Sequence, residues 1–86
     1  MESTVTARIR TLKGGWKVAD DDDEANYPQY VSEREVELVI EGNPKSGYHL
    51  VMTPDGCFTA DAHYSTVEDA LGDAQEVFGV LPEDWR

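Results

Sequence analysis

The sequence predicts an α+β fold: an antiparallel sheet of about four strands in a meander, with one C-terminal helix packed on one face. Three observations support this prediction. Apolar and polar residues alternate in two early segments, a Pro-Asp-Gly turn separates two further segments, and the last third of the chain has apolar residues at helical spacing. The 86 residues are enough for one domain, spanning residues 1–86, with a thin core and no deep substrate chamber.

The first strand is predicted over residues 4–12, where three apolar residues alternate with polar ones. Residues 16–18 follow a pair of glycines, and they either continue this strand after a bulge or return as a short hairpin arm. Residues 20–29 begin with five consecutive acids and include a proline, so we expect a solvated loop there.

The remaining strands are predicted over residues 33–41 and in a hairpin over residues 48–64. A three-residue turn at residues 54–56, with its glycine in the left-handed conformation, pairs Leu50 with Ala60. A two-residue turn would mix apolar and charged side chains on one face, because a one-residue slip inverts both faces of a strand. We therefore expect the three-residue turn.

This register sorts the side chains into two faces, one apolar and one polar. The predicted core contains Val36, Leu38, Ile40, Tyr48, Leu50, Met52, Phe58, Ala60, Val67, Leu71, Ala74 and Phe78. The predicted polar face contains Arg8, Arg10, Glu35, Glu37, His49, Asp61 and His63.

A C-terminal helix is predicted over residues 67–78, because their apolar side chains form one stripe at helical spacing. Ser65 or Thr66 is the expected N-cap, and Glu68 lies where a capping box requires a glutamate. Gly79 follows the helix at the position of a left-handed C-cap. The pattern therefore marks both ends of the helix.

Charge is distributed unevenly along the chain. The net charge is −11, and residues 46–85 contain eight acids but no Lys or Arg. Such a field repels nucleic-acid phosphates and anionic lipids, so we expect no direct nucleic-acid or membrane binding. It would attract a basic protein partner. The alternative is that the acidity serves solubility or adaptation to salt.

Four acids lie opposite the apolar stripe of the predicted helix: Glu68, Asp69, Asp73 and Glu76. Asp69 and Asp73 are a like-charge pair at i,i+4, which costs on the order of 0.2–0.5 kcal/mol. Because no base offsets this cost, we predict a partner-binding surface here. The alternative is an ordinary solvated helix face.

The hairpin register places His49 opposite Asp61, with His63 one diagonal away. Two imidazoles and a carboxylate at this spacing could bind a metal or form an acid–base pair. The alternative is a polar cross-strand network on a solvent-facing sheet. We favour the network and therefore predict no metal site.

The sequence contains no glycine-rich phosphate loop, nucleophile elbow or HExxH motif. We therefore predict no catalytic residues, no cofactor and no enzymatic activity. Cys57 is the single cysteine, which excludes an internal disulfide and a multi-cysteine zinc cluster. Neither a bilayer-spanning apolar segment nor a signal-peptide pattern is visible, so a cytoplasmic location is expected.

Two stretches resemble known families. Residues 60–85 read ADAHYSTVEDALGDAQEVFGVLPEDW, and the elements Asp61, Thr66 to Ala70, Phe78 to Val80 and Trp85 resemble the ending of a group of short, uncharacterised bacterial proteins. That resemblance implies an α+β fold and no known activity. Residues 47–74, with G-Y, P-D-G-C-F-T and T-V-E-D-A-L, are more weakly similar to HicB-type antitoxins. That similarity implies three strands followed by a helix.

The expected function is that of a non-enzymatic protein-binding module, of the inhibitor or toxin-neutralising type, which presents acids to a basic partner. A self-associating structural domain that forms a homodimer is the alternative. A small metal-binding protein using His49, Asp61 and His63 ranks last.

Overall fold

The secondary structure of all 86 residues is defined in a computed structural model. The strands are β1 (Glu2–Leu12), β2 (Gly15–Val18), β3 (Val31–Asn43), β4 (Gly47–Pro54) and β5 (Ala60–Tyr64). The helices are α1 (Asp21–Asn26) and α2 (Val67–Phe78), and 3-10 turns span Pro28–Tyr30 and Pro82–Asp84. The strands form one antiparallel sheet in the order β2-β1-β3-β4-β5. The predicted α+β class with an antiparallel sheet is therefore confirmed.

The sheet has five strands rather than about four, because residues 15–18 return as a separate strand. Ile9 pairs with Val18 and Leu12 with Gly15, so β1 and β2 form a tight hairpin. Gly14 supplies the positive φ of 83° that this turn requires. Of the two alternatives for this segment, the hairpin arm is correct.

The predicted loop over residues 20–29 is wrong, since its acidic half forms α1. The carboxylate of Asp20 accepts a hydrogen bond from the backbone N–H of Asp23, and the Asp23 carboxylate accepts one from the N–H of Asp20. This reciprocal capping box satisfies N–H groups that a helix N-terminus otherwise leaves free. Acidic side chains in the first turn of a helix also interact favourably with the positive end of the helix dipole. The run of acids therefore stabilises a helix N-terminus, and the repulsion between its like charges does not keep this segment in a loop.

The core lies on one face of the sheet and under α2. Its buried apolar residues are Ile9, Val36, Leu38, Ile40, Leu50, Ala70, Ala74, Phe78 and Val80. Several predicted members pack against this cluster while half-buried, namely Tyr48, Met52, Val67 and Leu71. In the strands, the buried residues alternate with exposed ones, so period-2 patterning predicts which side of each strand is covered.

The β4–β5 register differs from the predicted one by two residues. Leu50 pairs with Ala62, not with Ala60. The reason is that β4 stays paired with β3 beyond Pro54, where the Asp55 N–H donates to the Glu35 carbonyl at 2.8 Å. The connecting loop is therefore longer than three residues. Because the shift is even, the two faces of the hairpin keep their predicted identity.

This shift removes Phe58 from the predicted core, and Ala60, also predicted there, is half-buried and lies outside the core cluster. Phe58 lies in the β4–β5 loop and is 75% exposed. The Trp16 indole N–H donates to the Phe58 carbonyl at 2.7 Å, which fixes the loop against β2. Cys57 packs against the core in its place. The prediction that Phe58 is buried is therefore wrong.

The predicted helix is confirmed with the same bounds, and its caps explain them. The Thr66 hydroxyl accepts a hydrogen bond from the Asp69 N–H, so Thr66 is the N-cap. Gly79 has a φ of 72° and donates its N–H to the Gln75 carbonyl. α2 packs over β4 and β5. Neither α1 nor α2 is long and apolar enough to cross a bilayer.

Candidate functional site

Three acids share the exposed side of α2. Glu68, Asp69 and Glu76 are exposed and lie within an arc of about 100° around the helix axis. Gly72 lies near the middle of this arc, and a Cβ built on it would meet no atom within 4 Å. We call this surface, formed by Glu68, Asp69, Gly72 and Glu76, the α2 acidic face. No Lys or Arg forms a salt bridge with it.

Asp73, the fourth acid predicted for this surface, has a different environment. It is half-buried, and its carboxylate accepts a hydrogen bond from the Tyr64 hydroxyl on β5. Burial and this hydrogen bond together raise the pKa of Tyr64 to about 12. Asp73 thus joins α2 to the sheet, whereas Glu68, Asp69 and Glu76 point to solvent.

The salt bridges of Lys and Arg all lie around α1. Arg10 contacts the Asp23 carboxylate at 2.6 Å, and Lys17 contacts the same carboxylate at 2.9 Å. Lys17 also lies 3.4 Å from Asp20, and Arg8 pairs with Glu24. All of these pairs join α1 to β1 and β2. Asp20, Asp23 and Glu24 are therefore paired within the fold, whereas Asp21 and Asp22 are exposed and form no ion pair.

Asp23 is the centre of this network and is only 4% exposed. The N–H of Asp20 donates to its carboxylate, and Arg10 and Lys17 add further hydrogen bonds to it. Together they hold the pKa of Asp23 well below its usual range. The same contact raises the pKa of Lys17. Asp23 is thus a structural anion, held by partners from both β1 and β2.

The histidine cluster, formed by His49, Asp61 and His63, comes together on the face opposite α2. His49 lies directly opposite His63, and Asp61 takes the diagonal position opposite Val51. The prediction exchanged these two partners because of the two-residue register shift. His49 Nδ1 lies 2.9 Å from Asp61 Oδ1, and the imidazole centroids are 4.9 Å apart at an angle of 68°.

The cluster engages two of its imidazole nitrogens in hydrogen bonds within the protein. Asp61 holds Nδ1 of His49, and Nε2 of His63 lies 3.2 Å from the Ser46 carbonyl. No group of three or more His, Cys, Asp or Glu side chains is arranged to hold a metal ion. No hydroxyl is hydrogen-bonded to either imidazole. The geometry is that of a cross-strand polar network with a turn attached to it.

Gly47 shows why this turn and His63 fit together. A Cβ built on Gly47 would lie 2.5 Å from Nε2 of His63, so the imidazole lies directly against the glycine backbone. Gly47 also has a φ of 89°, a conformation that other residues rarely adopt. The imidazole of His63 therefore braces the β3–β4 turn from the neighbouring strand β5.

Sequence reasoning missed the salt-bridge network around Asp23, although its components are visible in the sequence. Arg8, Arg10 and Lys17 all fall on the polar side of the β1–β2 hairpin. Asp20 and Asp23 have the spacing of a reciprocal cap, which favours a helix above these bases. Joining the two observations would have predicted α1, but the hairpin itself had to be known first.

Comparisons of this chain with protein-family models, with characterised proteins and with solved structures found no match. The resemblances of residues 60–85 and 47–74 to bacterial families accordingly stay predictions.

Proposed function

We propose that this chain is a non-enzymatic protein-binding module of bacterial origin that acts in the cytoplasm and presents the α2 acidic face to a basic protein partner. Its action would be that of an inhibitor or a toxin neutraliser, which binds and occludes rather than transforms. One observation supports this proposal above the others. The ion pairs of Lys and Arg all lie between α1 and the β1–β2 hairpin, and none involves α2.

The two acidic helices therefore differ in what they can offer to a partner. The carboxylates of Asp23 and Glu24 are already bound to bases of this chain. Glu68, Asp69 and Glu76 have no such partner and are exposed, so a cation from outside can reach them without breaking an existing pair. Complementary charge of this kind accelerates association and excludes partners of the wrong sign.

Gly72 is a second feature that supports binding at this surface. Glycine inside a helix costs roughly 1 kcal/mol relative to alanine, and the space above Gly72 would admit an alanine. The bare backbone allows another molecule to approach the helix closely between the flanking carboxylates. Packing within this chain gives no reason for the glycine, whereas close approach of a partner does.

The test uses a lysine-rich peptide as the probe and maps its contacts by amide chemical shifts. We expect the shifts to centre on α2 near Gly72 and to shrink as salt screens the carboxylates. The variant Glu68→Gln/Asp69→Asn/Glu76→Gln should weaken binding by at least about tenfold, equivalent to roughly 1.4 kcal/mol.

A matched control separates this surface from net charge. Glu35→Gln/Glu37→Gln/Glu41→Gln removes the same number of negative charges from exposed positions on β3. This control should bind the peptide nearly as the wild type does. Equal weakening by both variants would mean that the peptide senses only the overall charge, and the proposed surface would be wrong.

A further inference from the structure

The sheet has two edges, and β5 forms one of them with one side unpaired. Its neighbour β4 bonds to β3 through its odd-numbered residues, as the bond from Asp55 to Glu35 shows. Because these groups alternate in direction along an antiparallel strand, the backbone N–H and C=O groups of Leu50 and Met52 point towards β5. On β5, the backbone N–H and C=O groups of Ala60, Ala62 and Tyr64 point towards β4.

The N–H and C=O groups of Asp61 and His63 consequently point away from the sheet. No hydrogen bond outside the ladders uses these groups, and both residues are exposed. Unpaired groups in a row are a template for another strand. The edge of β5 is therefore open to pairing.

β5 lacks three of the usual protections of an edge strand, and those that remain are its length of five residues and the charge of Asp61. Natural edges are blunted by lysine, proline, bulges or a covering segment. β5 reads Ala-Asp-Ala-His-Tyr and pairs with β4 without a bulge. At the opposite edge, β2 is only four residues long, carries Lys17 and pairs with Ile9–Leu12 of β1. The N-terminal part of β1 forms the rest of that edge, where Glu2 pairs with Arg86 and the Arg8 carbonyl accepts from Ala19.

Side-chain chemistry selects the strand that fits this edge. Antiparallel pairing through the free groups must set Asp61 or His63 against Asp61 or His63 of the added strand. Centring a twofold axis on Ala62 places Asp61 opposite the second copy's His63, and the reverse. Moving the axis by one residue either way sets two aspartates or two histidines opposite each other. Carboxylate against imidazole is the complementary arrangement, and two carboxylates opposite each other are destabilising. Two imidazoles can lie opposite each other, as His49 and His63 do, but that register gains no carboxylate–imidazole pair.

We infer that β5 pairs with β5 of a second copy of this chain, in antiparallel register about Ala62, to form a continuous ten-stranded sheet from two copies of the five strands. Asp61 would then lie between His49 of its own chain, 2.9 Å away, and His63 of the second copy. Ala62 would meet Ala62 on the α2 side, where small side chains let two edges approach. This inference does not rest on the proposed function, because the α2 acidic face takes no part in the pairing.

The interface is short and joins two molecules of net charge −11. It gains two doubly bonded residue pairs and little apolar area, so we expect a weak dimer with a dissociation constant between micromolar and millimolar. Repulsion between the acidic monomers is screened by salt. The dimer should therefore tighten, rather than loosen, as the salt concentration rises.

Sedimentation velocity across this concentration range tests the inference directly. His63→Asp sets aspartate against aspartate, and we expect it to weaken the dimer at least about tenfold. The swap Asp61→His/His63→Asp restores an unlike pair and should restore the dimer. Glu37→Lys, an exposed charge reversal on β3, is the matched control and should leave the dimer intact.

Amide hydrogen exchange on the wild type gives a second readout that needs no variant. The N–H groups of Asp61 and His63 should become protected as the protein concentration rises, while the N–H of Thr4 at the far side of the sheet should not change. A wild type that stays monomeric up to millimolar concentration overturns the inference. So does a dimer in which the Asp61 and His63 amides stay unprotected, or one that the swap fails to restore.

Discussion

The two helices α1 and α2 are both acidic, but their carboxylates have different partners: α1 forms ion pairs with bases of this chain, and α2 forms none. In α1, Asp23 is buried beneath Arg10 and Lys17, and Asp20 caps the helix. In α2, Glu68, Asp69 and Glu76 are exposed and contact no base. Equal acidity in the sequence therefore hides two arrangements: carboxylates of α1 bind bases of the β1–β2 hairpin, and the exposed carboxylates of α2 bind none.

The largest loss of stability is expected from Asp23→Asn. The substitution keeps the shape of the side chain but removes the countercharge of Arg10 and Lys17, which breaks a buried pair from one side. We expect the urea midpoint to fall clearly. Asp22→Asn, one residue earlier, exposed and outside the ion pairs, is the control and should change it little. Equal effects of the two substitutions would contradict the role assigned to Asp23.

Acid should act through the same carboxylate. The pKa of Asp23 lies below its ordinary value of 3.8 in the folded protein, so unfolding raises it and the unfolded state binds a proton more readily. The stabilisation from Asp23 is therefore complete above pH 3.8 and is lost as the pH falls towards the folded pKa. Urea unfolding at pH values from 7 down to 2 measures this loss. Asp23→Asn should flatten the acid limb of the profile, and an unchanged limb would assign acid sensitivity to other carboxylates.

How far the sequence alone predicts this fold depends on the range of the deciding interactions. Val36, Leu38 and Ile40 are buried as their alternation predicts, and the bounds of α2 follow from Thr66 and Gly79. These features depend on neighbours a few residues away. A local pattern is sufficient wherever local forces decide the structure.

The failures arise where a distant segment decides. α1 needs bases that lie more than ten residues earlier on β1, which a run of acids does not reveal. The β4–β5 loop is set by where β4 stops bonding to β3, at Asp55, and that contact moved Phe58 out of the core. The histidine cluster was still predicted on the correct face, because a shift of two residues preserves the alternation.

Within α2, Asp73 differs from the exposed acids because its carboxylate is bonded to Tyr64 of the sheet. Tyr64→Phe removes the hydroxyl that donates to Asp73, and we expect a loss of about 1 kcal/mol in the free energy of unfolding. Asp69→Asn, on the α2 acidic face, should change it much less. Near-ultraviolet absorbance should show one of the four tyrosines titrating near pH 12, and the variant should lack it. The stabilisation from Tyr64 is present below pH 10 and is lost as the pH rises through 12.

The smallest expected change in stability is an increase, from Gly72→Ala. Alanine has space at this position and raises helix stability by up to about 1 kcal/mol. Gly79→Ala is the contrasting control, since a φ of 72° penalises any residue with a Cβ, and it should destabilise the protein. A gain at Gly72 together with weaker binding of the lysine-rich peptide would mean that the bare backbone serves a partner at the expense of the fold. A gain with unchanged binding would limit the binding surface to the three carboxylates.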